Sequence, residues 1–224
     1  MQSFFLNKIE SFFYFIFDIY FDFKYGIETT FSMELSQLDI PFSSKQNGRK
    51  YQPSRSILFK NALRKLQLKE KLDFKEMVFF DVGTGKGRIA LWAAKLGFKK
   101  VMGIEFSPYL YQKCQKNIEQ FSKKYESNTI FEIYLGDAGE LIFPDEVDII
   151  YLFNPFDSKI LSKMLTGIGE NRKSLLPLYI IYMNPLREYL FDHHKNYLKL
   201  FSIEHKNHNN SVSVFLYQRK LVLN

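Results

Sequence analysis

Residues 77–88 read MVFFDVGTGKGR. A short apolar run with aromatics, Met77 to Val82, meets three alternating glycines, Gly83, Gly85 and Gly87, with Lys86 among them. The run reads as a buried strand, and Arg88 to Leu96 reads as a helix ended by Gly97. Strand, glycine loop and helix in that order suggest a ligand cradle, and counting tests which one. A P-loop needs Gly-x-x-x-x-Gly-Lys-Ser/Thr. Here Gly87 follows Lys86, and Phe80 stands where the first glycine belongs. The dinucleotide fingerprint Gly-x-Gly-x-x-Gly fits Gly83 and Gly85 but meets Arg88 at its third place. Asp81, at the strand end, repels a pyrophosphate and suits a cationic ligand. Glycines admit close backbone approach, and the following helix N-terminus receives a carboxylate. A ligand carrying both an amine and a carboxylate is an amino acid.

Strand and helix signals alternate beyond the loop. Lys100 to Phe106 reads as a strand. Ser107-Pro108 is a helix cap with a proline in the first turn, opening a helix to about Tyr125. Strand signals recur at Ile130–Leu135, Val147–Phe153 and Leu178–Met183, with helices at Lys159–Ile168 and Leu186 to about His193 between and after the last two. Upstream, Ser54 after Pro53 is a candidate N-cap for a helix carrying Ile57, Leu58, Ala62 and Leu66 on one face. Residues 41–50 read as a polar loop. At the end, Tyr197–Glu204 and Ser211–Arg219 are joined by too few residues for a helical crossover, so they form an antiparallel hairpin. The expected fold is α/β: a mainly parallel, seven-stranded sheet with helices on both faces and a C-terminal antiparallel hairpin. Ligands in such sheets bind beyond the carboxyl ends of the strands.

Two more acids stand at those ends. Glu105, in VMGIEFSP, is placed to accept hydrogen bonds from ribose hydroxyls, and Asp137, in YLGDAGE, from an exocyclic amine such as that of adenine. An amino acid, a ribose and an adenine together describe S-adenosylmethionine (SAM). DVGTGKG, GIEFSP and GDA, in this order, resemble motifs I, II and III of the class I SAM-dependent methyltransferases, over roughly residues 50–220. The resemblance implies a cofactor site of Asp81, Gly83, Thr84, Gly85, Gly87, Glu105, Phe106, Asp137 and Ala138. It also resembles, through KYGIETT, GKGR, EFSP and FNPF, a bacterial group of unassigned substrate. YLFNPF at 151–156 occupies the motif IV position, where many N-methyltransferases carry Asn/Asp-Pro-Pro-aromatic. Asn154 is the candidate to orient a substrate nitrogen and to touch the cofactor; Pro155 holds the turn, and Phe156 packs on the substrate. Only one proline is present, a departure from base and glutamine methylating members. YQPS at 51–54 resembles a Tyr-x-Pro-Ser/Thr element of some class I enzymes, protein lysine methyltransferases among them, which places Tyr51 at the cofactor or substrate channel. Lys86 and Arg88 either meet the methionine carboxylate or face solvent.

The chain has 224 residues, 46% hydrophobic and 25% charged, with 24 Phe and 14 Tyr. This suits one domain with an extension: residues 1–70 as a helical extension or substrate lid, and 71–224 as the SAM-binding domain. The net charge of +7 comes from scattered Lys and Arg without a block of five like charges, so no dedicated nucleic-acid arm is indicated. Cys114, the single cysteine, excludes a disulfide or a Cys-based zinc cluster and suits a reducing, cytoplasmic setting. It reads as a packing residue. His193, His194, His205 and His208 have no acid cluster beside them, and adjacent histidines diverge on a helix; no metal is expected. At the N-terminus, the uncharged run Ser11–Phe17 is far too short to span a membrane. Phe5, Ile9, Phe12, Phe13, Ile16, Ile19, Tyr20 and Phe23 share a helical stripe, with Lys8, Asp18 and Asp22 elsewhere. The expectation is a helix packed on the domain; peripheral membrane contact through residues 1–25 is disfavoured, because the polar face carries acids. Together these features point to methyl transfer from SAM to a nitrogen acceptor, with protein lysine as the leading case. RNA methylation and a non-catalytic SAM-binding module are the alternatives.

Overall fold

The computed structural model describes residues 2–34, 52–153, 157–204 and 211–218, with side chains from residue 9 onward. Tyr51, Asn154, Pro155, Phe156, His205 and His208 lie outside the described residues. In chain order the elements are α1 (Gln2–Tyr25), α2 (Ser56–Glu70), β1 (Val78–Val82), α3 (Arg88–Lys95), β2 (Lys100–Glu105), α4 (Pro108–Lys124), β3 (Ile130–Leu135), β4 (Ile149–Phe153), α5 (Ser158–Asn171), β5 (Leu178–Met183), α6 (Tyr189–Asp192), β6 (Tyr197–Ile203) and β7 (Val212–Tyr217).

One sheet of seven strands runs in the order β3-β2-β1-β4-β5-β7-β6. Strands β1 to β5 are mutually parallel, and β7 runs antiparallel to both β5 and β6. The terminal hairpin is therefore built with its second strand inserted against β5. Central strands β1, β5 and β7 are buried along their whole length, which explains their near-continuous apolar runs. Helices α1 to α4 pack over one face around Phe79, Ile149 and Ile181. Helices α5 and α6 cover the other, around Phe80, Ile150 and Phe215.

Local signals account for most boundaries. The Ser107 side chain accepts from the Leu110 N–H and caps α4, with Pro108 in the first turn. Asp157 caps α5 in the same way through Ile160. Ser54, by contrast, is not the cap of α2: Arg55 holds that position without a side-chain bond, and the Ser54 carbonyl accepts from Arg88 instead. Strand β4 begins at Ile149, because the Val147 N–H is taken by the Pro144 carbonyl in a turn.

Helix α1 packs on the domain, but the stripe read from the sequence faces outward. Phe12, Phe13, Ile16, Tyr20 and Phe23 are exposed, while Asp18 is 1% and Asp22 9% exposed. The inward face has its own aromatics. Phe21 stacks on Trp92 at 4.4 Å and Phe17 at 5.5 Å, and Tyr25 packs on Phe121 at 4.7 Å. Such pairs contribute about 0.5–1.5 kcal/mol each beyond burial. The buried acids find partners inside, so a helix with two apolar faces turns its acid-bearing one to the core.

Candidate functional site

Strand register levels the site. Val82 pairs with Ile104 on one side and Leu152 on the other, and Glu105 pairs with Leu135. The residues that leave β1, β2, β3 and β4 therefore meet at one edge of the sheet. This edge collects Asp81, the glycine loop, Glu105 and Asp137, and the chain leaves β4 there at Phe153.

Backbone bonds tie the loop to β2. The N–H groups of Gly83 and Thr84 both donate to the Ile104 carbonyl at 3.0 Å. Thr84 is buried, and its hydroxyl donates to the Asp81 carbonyl at 3.1 Å. Gly103 on β2 makes room for it: a Cβ there would come within 2.3 Å of Thr84 Oγ1. Gly87 begins α3 at φ +91°, and a Cβ on it would lie 2.8 Å from Cys114 Sγ. Cys114 is thus a packing residue under the loop; burial, with Asp81 and Glu105 nearby, pushes its thiol pKa up.

The two acids of this edge are buried together. Glu105 is 3% exposed and accepts from the N–H groups of Gly85 at 2.8 Å and Ser107 at 3.0 Å. Burial raises its pKa against the opposing pull of those N–H groups. Asp81 is 2% exposed. Burial first, then the charge of Glu105, pushes its pKa up to about 8, against a hydrogen bond from the Ala90 N–H. Among the described residues no lysine or arginine pairs with either acid. Two carboxylates buried close together without a cation hold a proton until a cation replaces it. Asp137 differs: it is exposed and caps a short 3-10 turn at Ala138–Glu140, accepting from the Gly139 N–H at 2.7 Å. Ala138, in the first position of that turn, is half-buried, as is Phe106, which packs with Leu110 and Met33.

Neither Lys86 nor Arg88 faces solvent or the acid pair. Lys86 is 1% exposed and reaches back to Glu28 Oε1 at 3.1 Å and the Phe31 carbonyl at 3.2 Å. Arg88 is 3% exposed and spends its guanidinium on four partners. These are Thr29 Oγ1 at 2.9 Å, Asp18 Oδ2 at 2.9 Å, the Ser54 carbonyl at 3.2 Å and Thr30 Oγ1 at 2.8 Å. Asp22 receives the N–H and hydroxyl of both Thr29 and Thr30 at 2.6–2.8 Å. Asn117 on α4 joins the set, accepting from the Glu28 N–H and donating to the carbonyls of Glu28 and Lys86. The segment after α1, residues 26–33, is thereby strapped to the back of the glycine loop. Its residues Glu28, Thr29 and Thr30, with Asp18, Asp22 and Asn117, were not marked as site residues in the sequence. Apart from the Asp22 bonds to Thr29 and Thr30, which span seven and eight residues, their partners lie 31 to 89 residues away, beyond any local pattern.

The donor set fits SAM on the structure's own terms. A buried acid pair with no cation among the described residues suits a ligand with ammonium and sulfonium groups, and the glycines leave backbone for it to approach. Comparison with known proteins agrees. Residues 80–158 match the family model described as a methyltransferase domain. Over 107 residues the chain is 30% identical to the ribosomal protein L11 methyltransferase of Alkaliphilus oremlandii, covering 48% of this chain and 31% of that protein. Over 77 residues it is 29% identical to a protein arginine N-methyltransferase of Oryza sativa subsp. japonica, covering 34% of this chain and 19% of that protein. The match thus spans a third or less of these curated relatives. In fold, the chain is similar to an RNA methyltransferase from Salinibacter ruber solved with S-adenosyl-L-homocysteine. The TM-score is 0.52 at 17% identity, covering 74% of this chain and 95% of that one. Residues 80–158 thus match a methyltransferase domain, and the strand order places that segment in the fold shared with SAM-dependent methyltransferases.

Proposed function

We propose that the chain transfers the methyl group of SAM to a nitrogen acceptor on a protein, lysine being the leading case. The observation that carries this reading is the buried Asp81–Glu105 pair beneath the glycine loop, with no cation paired to it among the described residues. When bound, SAM supplies a methyl group already activated on sulfonium. Asp81 then holds the ammonium end, and Glu105, while bracing Gly85, keeps lone pairs free for ribose hydroxyls. Asp137 accepts from the adenine amine beside Ala138, with Phe106 along the same wall. Gly83, Thr84, Gly85 and Gly87 shape the backbone that the methionine end approaches.

The acceptor side rests on position. The chain leaves β4 at Phe153, one residue beyond the Leu152 that pairs with Val82 at the end of β1. We assign Asn154 to orienting the acceptor nitrogen, with Pro155 fixing the turn and Phe156 packing on the substrate. The protein's contribution is then mostly proximity and alignment. Tyr51 belongs to the cofactor or substrate channel, and residues 1–70 serve as lid to the cofactor domain of 71–224. A protein acceptor is favoured because the curated relatives above are named for protein substrates, whereas the RNA methyltransferase shares the fold alone. Radiolabelled methyl transfer into a lysate from cells lacking the protein is the test, with protease and RNase arms. Label removed by protease supports the reading; label removed only by RNase assigns RNA as acceptor. Replacing Asn154 with Ala should lower turnover about tenfold or more and leave SAM affinity unchanged; unchanged turnover removes Asn154 from the site.

A further inference from the structure

Helix α1 turns a stripe of large apolar side chains away from the protein. Ile9, Phe12, Phe13, Ile16, Tyr20 and Phe23 are 38%, 59%, 62%, 44%, 59% and 82% exposed. At 3.6 residues per turn they fall within an arc of about 100°. From Ile9 to Phe23 the stripe is roughly 20 Å long at 1.5 Å per residue. Contiguous apolar surface of this kind marks an interaction site.

Charge identifies the occupant. The acids of α1 do not share the exposed face: Asp18 and Asp22 are buried against the domain, and Glu10 is half-buried beside Tyr14, which donates to it. The flanks carry cations instead. Lys24 stands on the helix itself, next to the stripe and exposed. Lys60 of α2 lies over the Phe17 ring at 5.0 Å. Lys124 of α4 approaches Gly26 at the helix end. The whole chain carries +7. Two copies meeting through this stripe would bring these lysines together, which opposes self-association. A helix surface is convex, and the phenylalanines project from it, so a partner without a matching groove is favoured. A bilayer offers that: it accepts an apolar helix face lying in its plane, and anionic headgroups attract flanking lysines.

We propose that α1 is an interfacial docking element that seats the protein on an anionic membrane surface. Burial of the acids removes the repulsion that the sequence pattern suggested. The side chains of Phe12, Phe13, Ile16, Tyr20 and Phe23 enter the headgroup boundary, and Lys24, Lys60 and Lys124 lie at phosphate level. No helix among the described residues is long and apolar enough to cross a membrane, so contact is peripheral.

Vesicle co-sedimentation of the full chain tests this, using vesicles of phosphatidylglycerol with phosphatidylcholine against phosphatidylcholine alone. The chain should pellet with the anionic vesicles and be released by high salt. Phe13→Ser with Phe23→Ser should weaken binding at least about tenfold, and Lys24→Gln about fivefold. Both variants alter exposed positions, and thermal melts check that each remains folded. Wild-type protein left in the supernatant, or binding indifferent to the serine pair, overturns the proposal. So does light scattering that shows a dimer abolished by the serine pair without vesicle binding, which assigns the stripe to a second copy.

Discussion

Two pairs of buried acids lie on opposite sides of the glycine loop, and they are treated in opposite ways. Behind it, Asp18 meets Arg88 at 2.9 Å and the Ser56 hydroxyl, and Asp22 gathers four donors from Thr29 and Thr30. In front of it, Asp81 and Glu105 are buried with backbone N–H groups as their donors among the described residues. Burial raises the carboxyl pKa of Asp81, Glu105 and Asp18 alike, but at Asp18 Arg88 first and then Ser56 oppose it. A scaffold satisfies its buried charges, whereas a binding site leaves one unmatched for the ligand to complete. The same twelve-residue stretch serves both: its Asp81 stands with Glu105 at the strand ends, and its Lys86 and Arg88 turn to the strap.

The comparison breaks first at Arg88. Arg88→Met strips Asp18 of its cation and leaves the charge buried, which should cost about 3–5 kcal/mol of stability by denaturant unfolding. Pairing it with Asp18→Leu should recover part of that loss. A single-variant loss below about 1 kcal/mol would show that the network is not structural. Asp81 should respond differently. Asp81→Asn should weaken SAM binding about 100-fold by calorimetry, the loss of a buried ionic partner. Its effect on stability depends on pH. Asp81 keeps its proton in the fold up to about pH 8, but in the unfolded chain only below about 4. Between these limits the native state binds more protons, so stability falls as pH rises, by at most about 1.4 kcal/mol per unit. The Asn variant lacks this loss and should melt higher than wild type near pH 8 in the absence of cofactor. An Asn variant that binds SAM normally would remove Asp81 from the site.

The front of the loop was legible because its signals are local. Glycine spacing, Asp81, Glu105 and the Ser107-Pro108 cap all lie within a strand-turn-helix repeat, and the alternation of runs conveyed sheet and hairpin. What lay beyond the sequence is long-range. Asp18 and Arg88 are 70 residues apart, and Glu28 and Asn117 are 89 apart. Periodicity found the stripe on α1 but not its direction, because both faces of the helix are aromatic and acids normally face water. Nothing local announces that Arg88 and two threonines will accommodate them. Tyr51, Asn154, Pro155 and Phe156 stand on sequence resemblance and position.

Gly87 joins the two sides, since it opens α3 between Lys86 and Arg88. Its φ of +91° and the 2.8 Å approach of Cys114 Sγ leave no room for a side chain. Gly87→Ala should cost at least about 1–2 kcal/mol from backbone strain alone, and more from the clash. Adding Cys114→Ala should relieve the steric part and leave the strain. Equal losses in the single and double variants would show that the thiol yields freely and that only the backbone matters.

The smallest effect belongs to Glu28, the half-exposed end of the strap. Its pKa is lowered first by the hydrogen bond from Lys86, then by that from Lys113. An acid depressed in the fold adds stability above its unfolded pKa and loses it as pH falls through its folded one. Because its side chain is 53% exposed, solvent screens the pair, and Glu28→Gln should cost below about 1 kcal/mol near neutral pH. That loss should vanish in acid, where wild type and variant carry the same charge. The strap holds the loop from behind, so SAM affinity should fall by no more than a few-fold while that of Asp81→Asn collapses. A Glu28→Gln variant as damaging to SAM binding as Asp81→Asn would erase the distinction between the two sides, because an acid with two lysines would then act at the ligand as the unpaired one does.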